Sequence, residues 1–409
     1  LRAEEQRGQE VRVAQRAIQS QGLHRAEINS PPARQRLLSL DVLRGVTVAL
    51  MILVNNAGDG QVSYAQLRHS RWSGCTLTDV VFPVFLFMVG ASIELSFQAR
   101  LARGTKVTTI FLQVLRRAFI LFALGLLLNA LPFFHLAELR YFGVLQRIAL
   151  CYVLASAIFL AGGLRASVLA CVVCVAGYWW LMTRVAMPEF GMPGKDIPLL
   201  DPAGNLASLV DRMLVSPPHL YHHGVYDPEG LLSTLPAVGT TLVGVCAAAW
   251  LRSLRRAEVR AAVLFASGLL LTLGGLAWAH TFPLNKRLWT SSFVLFTDGI
   301  AMVSLAALFW LIDGPWKLRR GLTLWLALGT NALAAYILSE VLAILLGAVP
   351  VHEAGPLHAS ENLQQWLYHL LPQGLGAPPL ISAVYSVLFV LACALPMLVL
   401  YRRGIFLKL

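Results

Sequence analysis

Ten stretches of predominantly apolar residues recur along this chain, each long enough to cross a hydrocarbon core of about 30 Å. Their approximate spans are 40–58, 79–97, 108–131, 142–163, 165–183, 233–251, 261–280, 290–312, 322–347 and 380–401. In lipid each such segment must satisfy its own backbone groups, which a helix does. The expected fold is therefore all-α, an integral membrane protein of about ten transmembrane helices in a single bundle. Composition agrees. Only 13% of residues are charged and 57% are hydrophobic, whereas soluble domains carry roughly 25% charged residues; the mean hydropathy is +0.66.

Residues 1–38 are polar and basic with a Pro31-Pro32 break, and are expected to form a surface helix around Glu10 to Gln21 or to stay disordered. They lack the apolar core of a cleavable signal. Residues 39–409 form the membrane domain, with no convincing repeat relating its halves. The formal charge of +12 does not point to nucleic acid, because the basic residues form no single stripe among aromatics. They fall in short groups between apolar runs: Arg100, Arg103 and Lys106; Arg165; Arg252, Arg255, Arg256 and Arg260; Lys317, Arg319 and Arg320; Arg402, Arg403 and Lys408. These follow every second span, so the positive-inside bias puts those exits and both termini in the cytoplasm. The loop around His69 and the longer loops 184–232 and 348–379 then face the other side.

Polar residues within spans are costly and usually face a cavity or a partner. Asp41, Arg44, Arg116 and Arg117 fall at the cytoplasmic level. Asn55, Asn56, His69, Asp79, Gln146, Arg147, Asn285, Lys286 and Glu340 fall near the opposite face, with Asp298 deeper and Asn331 near the middle of span nine. From Arg44 to Asn55 is about 16 Å of helix at 1.5 Å per residue. A positive inner half and a mixed outer half suit a ligand with an anionic head inside and a reactive end outside. The plainer readings are arginines snorkelling to the inner interface, an Arg147–Asp298 ion pair and a helix-capping Glu340. The six cysteines read mostly as small hydrophobes, Cys171-x-x-Cys174 included. His222, His223, His352, His358 and His369 lack tight ligand spacing, so no metal is expected.

The run Ser39-Leu40-Asp41-Val42-Leu43-Arg44-Gly45, then Val54-Asn55, His69-Ser70-Arg71-Trp72-Ser73-Gly74 and Asp79-Val80-Val81-Phe82-Pro83, resembles the heparan-alpha-glucosaminide N-acetyltransferase family. Gly143-Val144-Leu145-Gln146-Arg147, Tyr226-Asp227-Pro228-Glu229-Gly230-Leu231, Asn285-Lys286-Arg287-Leu288-Trp289-Thr290-Ser291 and Gly329-Thr330-Asn331-Ala332-Leu333 extend the match in order. The resemblance implies transfer of an acetyl group from cytosolic acetyl-CoA, as co-substrate, to the amine of a glucosamine-type sugar across the membrane. It also implies a homodimer and, for bacterial-type members without the lumenal domain, a place in the cytoplasmic (inner) membrane with the His69 loop periplasmic. It puts the catalytic histidine at His69 and the asparagine after the first span at Asn55. The Asn–His gap is longer here than in the animal enzyme, and Asn56 follows directly, so either amide is a candidate.

That chemistry needs a base, because an amino sugar is largely ammonium at neutral pH; histidine suits the task. Asp79 is expected to orient His69, and Asn55 to stabilise charge on the thioester oxygen. Arg44, Arg116 and Arg117 are expected to hold the CoA phosphates, with Gln146 and Arg147 near the thioester. Asn56, Lys286, Asp298 and Glu340 are expected around the acceptor. An amino-sugar transporter, or an acyltransferase with another envelope acceptor, fits the same architecture.

Overall fold

The computed structural model describes residues 37–407, apart from 189, 254, 353–360, 373 and 375. The helix expected around Glu10 to Gln21, and His358, lie outside the described residues. Helices dominate: α1 (Leu38–Asn55), α2 (Leu77–Leu101), α3 (Val107–Ala130), α4 (Val144–Arg184), α5 (Leu206–Leu214), α6 (Thr234–Leu251), α7 (Ala257–Ala279), α8 (Ser291–Leu308), α9 (Thr323–Thr330), α10 (Ala332–Ala348), α11 (Leu363–His369) and α12 (Pro378–Arg402). A short antiparallel ribbon pairs Pro350–His352 with Glu361–Asn362. Among the described residues eight helices are long and apolar enough to cross a membrane, or nine if α9 and α10 count as one broken span. The chain is an all-α membrane protein.

Each of the ten apolar segments corresponds to a helical stretch, but two are joined unexpectedly. At 41 residues, a straight α4 would run about 62 Å, twice a hydrocarbon core. It does not run straight. Gly162 and Gly163 leave helical geometry, and Gly163 has φ of 62°, a conformation open to glycine. The Arg147 guanidinium lies 5.2 Å from the centre of the Trp289 ring, while the Tyr178 hydroxyl donates to the Leu288 carbonyl at 2.6 Å. A continuous helix would hold Arg147 and Tyr178 about 46 Å apart. Their meeting at neighbouring residues makes α4 a helical hairpin whose arms run back along each other.

The most enclosed helices are α2, α6 and α1, while α3, α4 and α7 turn much of their surface outward. Leu112, Phe119, Leu169 and Leu270 are among the outward side chains, which suits lipid rather than water. Without a hydrophobic drive between helices in lipid, close packing through small residues holds such bundles. Here α2 and α6 cross where a Cβ on Gly90 would strike the Thr241 carbonyl and one on Gly244 the Phe87 carbonyl. A second crossing, α1 on α9, repeats the device with Gly45 against Trp325 and Gly329 against Asp41. The start of α1 is capped from afar: Asp313 accepts from Ser39 N at 2.8 Å and Leu38 N at 3.3 Å, using a single π-turn, Phe309–Asp313, that prolongs α8.

Between α9 and α10 the axis bends by 82°. Asn331, expected near the middle of a span, is instead the break itself, with φ −119° and ψ 34°. Its side chain turns to the tail after α12, accepting from Leu407 N at 2.9 Å and donating to the Ile405 carbonyl at 3.4 Å. Gly90→Val should therefore lower the thermal stability of detergent-solubilised protein by about 1–3 kcal/mol, the usual range for overpacking. Gly60→Ala, whose Cβ meets nothing within 4 Å, should leave the melting temperature unchanged.

Candidate active site

The first turn of α2 fixes the site. Asp79 stands three residues after the N-cap Thr76, and its Oδ2 accepts from Thr76 N at 3.0 Å and Ser70 N at 3.1 Å. This is the back-reaching arm of a capping box, which satisfies helix-end donors that have no intrahelical partner. The other oxygen, Oδ1, faces His69 Nδ1 at 2.8 Å. Asp79 has no exposed surface, whereas the His69 side chain is 47% exposed. With a carboxylate on Nδ1, the ring carries its proton there and presents Nε2 as a lone pair. The Thr76 hydroxyl donates to the Arg68 carbonyl at 2.7 Å, and Gln66 Oε1 accepts from Leu77 N at 3.0 Å. The loop bearing His69 is thus laced onto the helix that bears Asp79.

His69 and Asp79 line a cavity of about 190 Å³ together with Asn55, Arg140, Tyr221, Glu229, Lys286 and Arg287. Lys286 enters from the α7–α8 loop. Its Nζ lies 3.1 Å from His69 Nδ1, 3.4 Å from Nε2 and 3.9 Å from Asp79 Oδ1. Burial pushes the Lys286 pKa down, against the opposing pull of Asp79 and Glu229. Burial likewise pushes the neighbouring Cys75 thiol up to about 12, so it offers no thiolate at neutral pH.

The opposite wall rests on carboxylates that sequence reading passed over. Arg140 pairs with Asp227 at 2.5 and 2.9 Å and with Glu229 at 2.6 Å, and lies 4.7 Å over the Tyr221 ring. Burial would raise the Glu229 carboxyl, but Arg140 and Arg147 hold it below its ordinary value. Behind them Asp211, on the short helix α5, accepts from Leu231 N at 2.9 Å and Asp227 N at 3.3 Å. The only sequence signal for this wall was the Asp227-Pro228-Glu229 match; nothing marked Arg140 or Asp211 as its partners.

The remaining expected residues separate into those at the cavity and those away from it. Asn55 borders it and donates to Glu340 Oε1 at 3.4 Å, whereas Asn56 is buried and donates back to the Ile52 carbonyl at 2.8 Å. Glu340 therefore meets the site through Asn55. Gln146 is buried against Gly125 and Gly143. Arg147 donates to the Gly230 carbonyl at 2.9 Å and to Ser233 Oγ, pinning the end of the Glu229 loop from behind rather than lining the cavity. The considered Arg147–Asp298 pair does not form: Asp298 is wholly buried within α8, beside Thr240. At the far end of α1, Arg44 bonds Asp41 at 3.0 Å, Ser92 at 2.8 Å and the Gly329 carbonyl at 3.4 Å. Arg116 and Arg117 do not join it. Both are exposed on α3, which packs against α4 instead.

Asp211 links this wall to pH. Burial pushes its carboxyl up to about 6, above the ordinary value near 4. The folded state then binds this proton more tightly than the unfolded chain, so Asp211's contribution is fully present below about pH 4 and fades as pH rises through about 6. Asp211→Asn, which keeps an oxygen for Leu231 N, should flatten that part of the stability profile. Thermal unfolding of solubilised protein between pH 4 and 7 measures it; parallel profiles would remove Asp211 as the cause.

Comparison with known proteins follows the same lines. Residues 36–277 match the family model described as "Heparan-alpha-glucosaminide N-acetyltransferase, catalytic". The chain is 28% identical to human heparan-alpha-glucosaminide N-acetyltransferase over 362 residues, which is 75% of this chain and 53% of the human protein. It is also 28% identical to the mouse protein over 363 residues, covering 54% of that relative. The chain thus spans about half the length of the curated relatives it matches. The matched region carries His69, Asp79, Arg140 and Glu229, and on that match this chain belongs to the heparan-alpha-glucosaminide N-acetyltransferase family.

Proposed function

We propose that this protein moves an acetyl group from cytosolic acetyl-CoA to the amine of a glucosamine-type sugar on the opposite side of the membrane. The observation that carries the reading is the Asp79–His69 pair opening onto a polar cavity at one end of the bundle, in a chain whose family is named for that transfer. The donors present fit the acyl end of the donor substrate: Asn55, Lys286 and Arg287 surround a space sized for an acetyl group and an amine. Arg44 is the basic side chain at the cytoplasmic end of the same helix, and in this reading the CoA phosphates stay on that side. Arg116 and Arg117, on the outward face of α3, serve the orientation bias rather than the ligand.

His69 acts as general base in a ternary complex. Its Nε2 takes a proton from the sugar ammonium while Asp79 keeps the ring proton on Nδ1. The freed amine attacks the thioester carbonyl, the C–N bond forms, and the C–S bond breaks with the thiol as leaving group. Asn55 swings from Glu340 to donate to the developing oxyanion, a gain that exists only where charge develops. Direct transfer fits a site that holds base and oxyanion donor together, and an acetyl group trapped on His69 would overturn it.

Purified protein incubated with acetyl-CoA and glucosamine should release CoA thiol and form N-acetylglucosamine. His69→Ala should slow this by about 10²–10⁴, and Asn55→Ala by about 10²–10³. A wild-type protein that releases no thiol, yet moves amino sugar into proteoliposomes, would make it a transporter. Reporters fused at residues 69 and 255 check the sidedness: a cytoplasmic signal at 69 overturns the scheme.

A further inference from the structure

Any acceptor amine must come within hydrogen-bonding reach of the base that deprotonates it. One amine already lies against that ring, nearly equidistant from its two nitrogens, so that a turn of the lysine side chain is needed to bring it onto the Nε2 lone pair. Lys286 Nζ is a primary amine 3.4 Å from His69 Nε2 and 3.1 Å from Nδ1, inside the same cavity as Asn55. Asp79 Oδ1 lies 3.9 Å from it, and Glu229 lines the same cavity. Its side chain is 17% exposed and lines the cavity. Burial drives it toward the neutral form, which is the nucleophilic one.

We propose that Lys286 is an acetyl acceptor in its own right, becoming Nε-acetylated from acetyl-CoA when no sugar amine occupies the cavity. The step balances without a further reagent. The Nζ lone pair forms the new C–N bond as the C–S bond breaks, and His69 passes the lost amine proton to the departing sulfur. The product is an amide, not an acyl-imidazole, so it does not hand its acetyl group onward. Acetylation removes the charge facing Asp79 and fills the cavity beside His69. The protein would then switch itself off where donor is abundant and acceptor scarce. This inference rests on acetyl-CoA being the donor.

The test incubates the full-length purified protein with acetyl-CoA and no sugar, then maps acetylation by peptide mass spectrometry. The expected result is one hydroxylamine-resistant acetyl group on Lys286, with loss of later transfer to glucosamine in proportion. Glucosamine present from the start should suppress the label, and His69→Ala should lose it. Lys286→Arg, which keeps a charge opposite Asp79, should also lose it while eluting as a monodisperse protein. The exposed Lys106, Lys195 and Lys317 report non-enzymatic acetylation. An unmodified Lys286 in protein that turns over glucosamine overturns the proposal and leaves the transferase reading standing. A label on His69, or one spread equally over the exposed lysines, also overturns the proposal, the former removing direct transfer as well. Labelling of Lys286 without transfer to glucosamine supports the proposal and removes the sugar as acceptor; neither label nor transfer overturns both.

Discussion

The carboxylate of Asp79 does two jobs that elsewhere fall to different residues. One oxygen closes the open start of α2 against Thr76 and Ser70, and the other holds the ring of His69. The helix start and the histidine's orientation thus share one group. The side chain pays for its burial through hydrogen bonds, since a buried carboxylate without them would be strongly disfavoured. Because α2 is among the most enclosed helices of the bundle, the orientation of His69 is referenced to that packing as well as to its own loop. Such support is what a catalytic side chain needs when small displacements are costly.

Around that anchor the cavity is assembled from distant sequence. Arg140 comes from the turn before α4, Asp227 and Glu229 from the loop before α6, Lys286 from the loop before α8, and Asn55 from the end of α1. Asp79 faces His69 and Lys286, and Arg140 faces Asp227 and Glu229, so these ions share the cost of desolvation. Arg140, forked between two carboxylates, gives that wall its shape. Asp211 holds the backbone beneath it.

The helices were legible because apolar runs must span a fixed thickness, whatever their partners. The pairing of His69 with Asp79 was legible too, since a histidine ten residues before an acidic first-turn residue can fold back onto it. Tertiary partners were not. Nothing in one sequence says that Asp227 and Glu229 meet Arg140, because loop packing decides it, or that Arg116 and Arg117 stay exposed on α3, because helix rotation does. Consecutive asparagines point about 100° apart on a helix, and here Asn55 borders the cavity while Asn56 turns back on its own helix. Asp298 misled for the opposite reason: a carboxylate inside a span invites a functional reading, and this one lies within packed helices, away from the cavity. The break at Asn331 was marked by Gly329-Thr330-Asn331 inside the apolar run, but so short an interruption does not by itself say that the axis bends.

That break carries a consequence in time. The partners of Asn331's side chain lie 74 and 76 residues downstream, beyond the whole of α12. A chain made from its amino end and folded as it emerges has α9 and α10 in hand long before Ile405 and Leu407 exist. The side-chain partners of Asn331, at the 82° bend between them, therefore arrive late. Gly329, two residues before Asn331, packs on α1 beside Arg44. The Asn331 side chain thus meets its partners only once residues 405–407 have been made.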